Sequence, residues 1–378
     1  MMKRWDAIVV GAGIIGLTTA YHLAKTGKKV LVLEREERSI GASVRNLGMI
    51  WPIGQPIGPM RDIALRSRDL WLEVLRDAGI WFERCGSLHL AYHEDELQVL
   101  QEFVSQVPNG SETPVIVDAS EAGKLSTAIR REGLLGAMYS ASELSVDPRT
   151  TVHQLTRYLA ESLGVEFRFG ESVRSVEPGV VATSNSYYEA SEIFLCLGPT
   201  VGDLYPDLIW GRGTRLCKLQ MLRARPKHLD YRIGTHLCAG LTLLHYSNFA
   251  KCRSLHLVKD RLNLQWPNQI AHHIHLLVAQ HADGTLTIGD SHEYGFSFSP
   301  YSDEQVDQYI LDYLDTFLAT RDLEIVQRWQ GYYPKHEKES FLIERPESGV
   351  TVINVLTGIG MTISFGLTEL AIGTELLA

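Results

Sequence analysis

An α/β fold is predicted, with a Rossmann-type nucleotide-binding layer assembled from separated stretches of chain and a mostly antiparallel α+β domain inserted into it. Three observations predict it. A strand, a glycine-rich turn and a helix open the chain at Asp6-Ala-Ile-Val-Val-Gly11-Ala-Gly13-Ile-Ile-Gly16. A second buried strand ending in glycine, Glu192-Ile-Phe-Leu-Cys-Leu-Gly198, follows in mid-chain, and a third strand with a glycine turn, Val350 to Thr362, closes it. Between these pieces lie strand-like runs separated by turn signals such as Asp283-Gly284.

Ile8-Val9-Val10 is an apolar run suited to a buried parallel strand. Gly11 permits the tight turn, Gly13 lets the backbone approach a pyrophosphate, and Gly16 lets the helix pack close to the sheet. The N–H groups near Ile14 and Ile15 open that helix and face phosphate. The helix is expected from Leu17 to about Thr26, stopping near Gly27, with a strand over Lys29–Leu33. Glu34 lies 18 residues after Gly16, where a ribose hydroxyl would be held, with Arg35 beside it. An acid there disfavours a 2′-phosphate, so NADP gives way to NAD or FAD.

The next loop separates those two. In Gly41-Ala-Ser43-Val-Arg45-Asn46-Leu47-Gly48-Met49, small residues allow backbone to lie against a ring. Ser43 and Asn46 can hydrogen-bond phosphate or carbonyl oxygens, and Arg45 adds a fixed charge. An NAD site has no need of this loop, so FAD is the expected cofactor.

Further along, Pro59 leads into an amphipathic helix (Ile63, Leu70, Trp71, Val74, Leu75), and Ser87–Tyr92 alternates as a strand. Glu94–Val107 reads as a helix, Pro108–Pro114 as a loop, and Asp118–Leu125 as a helix capped by Asp118. Asp147 and Pro148 start a helix running from Arg149 to Leu163 and ending at Gly164. Strands are expected at Glu166–Phe169, Ser172–Val176, Cys217–Ala224, Leu255–Val258, His275–Gln280 and Leu286–Gly289. A helix follows over Ser302–Thr320, and a last one over Leu367–Leu377. The corresponding division is 1–84, 144–211 and 325–378 for the FAD-binding domain, and 85–143 with 212–324 for the substrate-binding domain.

Composition excludes some classes. The 378 residues are 45% hydrophobic and 21% charged, as in an ordinary globular protein. A net charge of −9 argues against nucleic acid or an anionic membrane as partner, though not against an anionic small substrate. The five cysteines show no CxxC and read as free thiols in a reducing compartment. The Met-Met-Lys-Arg start before an apolar run superficially resembles a signal peptide, but Gly11, Gly13 and Gly16 interrupt that run at phosphate-loop spacing. A cytoplasmic protein without a membrane span is expected.

In this order, Gly11–Gly16 with Glu34, the Ser43–Gly48 loop, the Leu195-Cys-Leu197-Gly198 strand end and the Thr357-Gly358-Ile-Gly360-Met361-Thr362 turn resemble the FAD-dependent D-amino acid oxidase, glycine oxidase and sarcosine oxidase superfamily. The resemblance covers nearly the whole chain. It implies a glycine oxidase-like fold, noncovalently bound FAD, and oxidation of a small primary or secondary amine. It also implies that the backbone of Val173 touches adenine. The turn through Gly358, Gly360, Met361 and Thr362 would lead into a helix whose positive end faces the flavin pyrimidine, where reduced flavin is anionic.

Three stretches, Ala42–Pro52, Thr287–Tyr294 and Arg328–Pro334, resemble the branch associated with aminophosphonate breakdown. This implies 2-aminoethylphosphonate or an N-methyl or hydroxylated relative as substrate, with O2 as acceptor and peroxide as product. Two departures stand out. Tyr333 occupies the position of an arginine that grips the substrate carboxylate in many relatives, so a bidentate clamp is lost there. Thr287 occupies the position of a lysine that helps oxygen react in sarcosine oxidases. The alternative is therefore a dehydrogenase of D-amino or imino acids passing electrons to a membrane acceptor. A third reading is a non-catalytic flavin-binding subunit.

The chemistry implied is hydride transfer from the carbon beside a neutral amine to the flavin, which leaves the catalytic protein residues unassigned. Substrate-pocket candidates are Met49 and Trp51 after the Asn46 loop, His275 and Gln280 on an inserted strand, and Ser291 and His292 after the next. Tyr332, Tyr333, Lys335 and His336 stand in the region of the lost clamp. Of these, Lys335, His336 and His292, together with Arg45, could meet a phosphonate. His272-His273-x-His275 invites a metal reading, but no third ligand stands nearby in sequence, and no metal is expected.

Overall fold

The computed structural model describes residues 4–228 and 231–373, with the side chain of Val201 also undescribed. The charged start at Met1 to Lys3 and the expected helix end at Leu377 lie outside the described residues.

The first layer is an eight-stranded sheet. Its centre is Arg4–Val10, whose residues Ala7 to Val10 are buried, as the apolar run requires. Val30–Glu34 lies parallel on one side of it and Tyr187–Leu195 on the other. Glu166–Phe169 and Val350–Val355 extend the parallel set at its two ends. The hairpin Val173–Glu177 with Val180–Thr183, and the strand Phe341–Glu347, are antiparallel additions.

Helix Ile14–Lys25 packs against Gly360–Gly373, which in turn packs on Pro59–Asp77. Gly16 is essential to that packing, because a Cβ there would sit 1.8 Å from the Gly11 carbonyl oxygen. The last helix starts at Gly360, seven residues before the expected Leu367. The glycine turn itself is its first turn, and its apolar stretch is buried nearly all round, so periodicity gave no edge to find.

The second sheet has nine strands and is mostly antiparallel. Arg215–Pro226 pairs with Leu286–Gly289 and Glu293–Gly295 on one side and with the long strand Leu323–Lys335 on the other. The expected return to the nucleotide layer at 325 therefore comes later in the chain. Leu277–Gln280 and His236–Cys238 lead on to Ser87–Ala91, Gly136–Ser140 and Val115–Asp118. The last two were not anticipated.

Leu255–Val258, expected as a strand, opens a helix, Leu255–Gln265. Val258 and Leu262 are its buried residues, one turn apart, and a four-residue segment with three apolar positions cannot distinguish the two periods. Short helices Leu241–His245 and Pro267–Ala271 also interrupt this region. The expected Ser302–Thr320 helix is confined to Glu304–Leu314, where Asp303 accepts from the Gln305 N–H as its cap. Met49–Ile50, Phe82–Glu83 and Leu144–Val146 form a third, three-stranded sheet.

Candidate active site

One cavity of about 1080 Å³ runs from the first glycine turn to the second sheet. That is at the upper end of the size of small-molecule sites, roughly 300–1,000 Å³. Its outer end is lined by Gly11, Gly13, Ile14, Ile15, Glu34, Arg35 and Val173, and its middle by Ser43, Arg45, Asn46, Leu47, Leu197 and Gly198. Gly358, Gly360, Met361 and Thr362 form another wall. Gly16 and Gly48 do not reach it; each is a close-approach residue, and a Cβ on Gly48 would meet the Val146 carbonyl oxygen at 2.1 Å.

The outer end is a cradle for a dinucleotide. Gly11 has φ +103°, and a Cβ there would lie 2.5 Å from the Cys196 carbonyl oxygen. Glu34 accepts from the Ala12 N–H at 2.8 Å and from the Glu36 N–H at 3.1 Å, which fixes its carboxylate at the strand end. Ser43 Oγ accepts from the Ile14 N–H at 2.9 Å, tying the second loop to the start of the helix. Asn46 is turned inward on its own loop: Nδ2 donates to the Ala42 and Ser43 carbonyls and Oδ1 accepts from the Gly48 N–H. It shapes the loop rather than offering its amide to a ligand.

Arg45 is similarly engaged. Its Nε donates to the Ile40 carbonyl at 2.7 Å and its Nη1 to the Gln330 carbonyl at 3.3 Å, while its own carbonyl accepts from Trp329 Nε1. It clips the loop to the second sheet.

The inner end is lined by Met49, Trp51, Leu219, Met221, His245, Tyr246, His275, Leu277, Asp290, His292, Tyr332, Tyr333 and Lys335. Tyr333 packs its ring against Gly358, where a Cβ would meet it at 3.3 Å. The Tyr332 hydroxyl donates to Gln330 Oε1. Lys335 Nζ donates to Thr357 Oγ1 at 3.2 Å, and burial lowers its pKa. Met49 and Trp51 wall the pocket, and the Trp51 N–H donates to Thr362 Oγ1 at 3.0 Å.

Three of the pocket candidates are placed elsewhere or otherwise used. Gln280 is committed to the chain around it, accepting from the Ile233 N–H and donating to the Tyr231 and Gly284 carbonyls. Ser291 Oγ accepts from the Gln220 N–H at 3.2 Å, away from the cavity. His336 reaches only the exposed rim, where Nδ1 accepts from the Lys338 and Glu339 N–H groups and Nε2 faces the Arg212 carbonyl. Gln280 lies on a strand and Ser291 just after one, as expected, but neither placement says which side chains meet the cavity.

Thr287 is also off the site. It shares a sheet face with Met221, through the pairs Met221–Gly289 and Arg223–Thr287, but lies past the end of the cavity. There it is fully buried under His281, 2.7 Å from Nε2, and Arg223.

Sequence reading missed His245, Tyr246 and Asp290. His245 and Tyr246 follow an apolar helical run, and nothing local marks them; Asp290 stood inside the Thr287–Tyr294 stretch without an assigned role. His245 lies flat on His275, with ring centroids 3.7 Å apart, and His292 stands 4.8 Å from His245. His275 Nε2 is 3.1 Å from Asp290 Oδ1 and His292 Nε2 is 3.9 Å from the same oxygen. Burial pushes His245 well down and His292 down to about 4 despite the neighbouring carboxylate, so these rings are neutral at pH 7. Burial pushes Asp290 up, but His292 and His275 more than offset this and hold it below the ordinary carboxylate range.

A tight glycine turn into a helix, a fixed acid at the second strand end and a deep cavity running to an antiparallel sheet are the architecture of a dinucleotide-binding protein. The chain belongs to the DAO family of FAD-dependent oxidoreductases, whose family model matches residues 6–372. Its fold is that of glycine oxidase and its relatives. A solved L-proline dehydrogenase from P. horikoshii superposes with a TM-score of 0.80 at 17% identity, covering 100% of this chain and 94% of that one. Glycine oxidase from Geobacillus kaustophilus gives 0.76 at 21% identity, covering 98% and 94%.

Among curated proteins, glycine oxidase of Bacillus licheniformis is 29% identical over 221 residues, 55% of this chain and 58% of that protein. Peroxisomal sarcosine oxidase of Mus musculus is 29% identical over 54% of this chain and 53% of its own length. The matched part thus spans little more than half of these curated relatives. No helix among the described residues is long and apolar enough to cross a membrane.

Proposed function

We propose that this protein is an amine oxidoreductase that holds FAD noncovalently and oxidises a small aminophosphonate, 2-aminoethylphosphonate or an N-methyl or hydroxylated relative, with O2 as acceptor. The observation that carries the reading is the single continuous cavity, which joins a dinucleotide cradle to an enclosed polar end. FAD, when bound, accepts the hydride from the carbon beside the amine. Glu34 would hold a ribose hydroxyl, the start of the Ile14–Lys25 helix the pyrophosphate, and the start of the Gly360–Gly373 helix the negative charge of the reduced ring.

The chain's own residues position the substrate and exclude water. Trp51, Tyr246 and Tyr333 enclose the reacting end. Tyr333, not arginine, stands against Gly358, and no arginine lines this end among the described residues, which weighs against an α-amino acid carboxylate. Lys335 is the cation at the inner wall available to a phosphonate oxygen. The dehydrogenase alternative drew on Thr287, and that residue lies outside the cavity.

The test is peroxide release from the purified yellow protein with 2-aminoethylphosphonate, its N-methyl derivative, glycine, sarcosine and D-alanine. Peroxide is expected with the phosphonates. Peroxide with glycine alone would overturn the substrate assignment, and flavin bleaching without peroxide would select the dehydrogenase.

A further inference from the structure

We propose that His245, His275 and His292 bind a divalent transition-metal ion of the zinc class at the inner end of the cavity. One ring nitrogen from each comes within 4.8 Å of the others. The three arrive from separate places in the chain: the end of the Leu241–His245 helix, the approach to Leu277–Gln280, and the segment after Leu286–Gly289. The sequence offered His272-His273-x-His275 instead. His273 contributes only its carbonyl, and the third ligand comes from 30 residues before His275.

The hydrogen bonds select the ligand atoms. His292 Nδ1 lies 3.0 Å from the His273 carbonyl oxygen, so that nitrogen carries the proton and Nε2 keeps its lone pair. That lone pair faces Asp290 Oδ1 at 3.9 Å, a gap too long for a hydrogen bond. His275 Nε2 faces the same oxygen at 3.1 Å, which leaves His275 Nδ1 as the acceptor nitrogen, and that atom is buried without any partner. Metal-bound histidines hold their second nitrogen on a carboxylate or a backbone carbonyl in this way.

Asp290 supplies a second reason. It is 6% exposed, and its Oδ1 meets His275 Nε2 at 3.1 Å. That carboxylate oxygen also lies 3.9 Å from His292 Nε2, where it favours a bound cation. Neutral imidazole suits zinc, copper, nickel and ferrous ions.

Zinc–nitrogen bonds of about 2.0–2.1 Å at tetrahedral angles put ligand nitrogens about 3.4 Å apart. Closing the trio thus requires one ring to move by about an ångström and, because the ring lone pairs lie in the ring plane, to turn out of the His245–His275 stack. His245 faces the cavity and makes no hydrogen bond among those described, so it is the ring that moves.

The test uses the flavin-loaded protein, stripped with a chelator, titrated with Zn²⁺, desalted and analysed for metal and flavin together. One zinc per chain is expected, with a higher melting temperature in its presence. His245→Ala, which removes a cavity-facing ring without hydrogen bonds, and His292→Ala should each weaken zinc binding at least tenfold. His256→Ala, on the surface, should not. Wild-type protein that retains no zinc would overturn the proposal, as would stoichiometric zinc in the His245→Ala/His292→Ala double variant. Since flavin is measured in the same sample, failure of the metal site and failure of the flavin reading are distinguishable.

Discussion

The ring of Tyr333 lies against Gly358, so close that a Cβ on that glycine would stand 3.3 Å from a ring carbon and 3.4 Å from the hydroxyl oxygen. Tyr333 belongs to the second sheet and Gly358 to the last glycine turn. The contact therefore joins the second sheet to the last glycine turn, and it places an aromatic ring rather than a cation there. Replacing Tyr333 by Arg should shift preference from aminophosphonates toward glycine or D-alanine, read as a ratio of kcat/KM values. An unchanged ratio would mean that this position does not select the anion.

Glu34→Gln tests the outer end. The substitution keeps the shape, but its one amide oxygen can accept from only one of the Ala12 and Glu36 N–H groups, and it removes the charge that a ribose hydroxyl would meet. A hydrogen bond to a charged group contributes about 1.5–3 kcal/mol, so FAD affinity should fall by roughly one to two orders of magnitude. Fluorescence titration of the flavin-free protein measures it, and equal affinity would contradict the assignment.

Gly16→Ala should abolish folding or flavin binding. Its Cβ would meet the Gly11 carbonyl oxygen at 1.8 Å, and backbone cannot yield there without moving the phosphate turn. A variant with normal melting temperature and flavin content would show the turn to be less tightly specified than the contact requires.

Glu143 gives a pH dependence. It is fully buried, accepts from the Ile53 N–H, Ser87 Oγ and Ser142 Oγ, and supports the turn after Trp51. Burial raises its pKa in the folded protein, although these hydrogen bonds act against the shift. Relative to an unfolded value of about 4.3, stability is full below that pH and is lost as pH rises through the raised folded value. Glu143→Gln has no such loss. Its melting temperature relative to wild type should climb as pH rises from 4, and parallel profiles would refute this.

Thr287→Val tests whether that position touches oxygen chemistry. The hydroxyl is 2.7 Å from His281 Nε2, so its removal leaves a buried nitrogen unpaired and costs about 1–3 kcal/mol of stability. The partition between peroxide and other acceptors should stay unchanged, because the residue lies beyond the cavity. A changed partition would place it in the site.

What the sequence made legible was local. Gly11, Gly13 and Gly16 with Glu34 announce themselves because each is tied to a backbone requirement a few residues away, and Leu286–Gly289 was bounded correctly by its flanking turn. The inner end is different. His245, His275, His292 and Asp290 converge only after the second sheet closes, and no spacing encodes that. Gln280 and Ser291 looked like site residues because they are polar and lie on a strand or just after one near the flavin-side segment; their partners, Ile233 and Gln220, are distant in sequence and invisible to periodicity. The Leu255 helix was misread for a further reason, since the three apolar residues of Leu255-His256-Leu257-Val258 fit either period until Leu262 packs one turn on.

The most direct measurement is the visible spectrum of freshly isolated protein before and after anaerobic addition of 2-aminoethylphosphonate. A flavin spectrum that bleaches with the amine, and returns with peroxide when air is admitted, is the expected result. Protein that stays colourless after incubation with FAD, or a bound flavin that no amine reduces, would contradict the account.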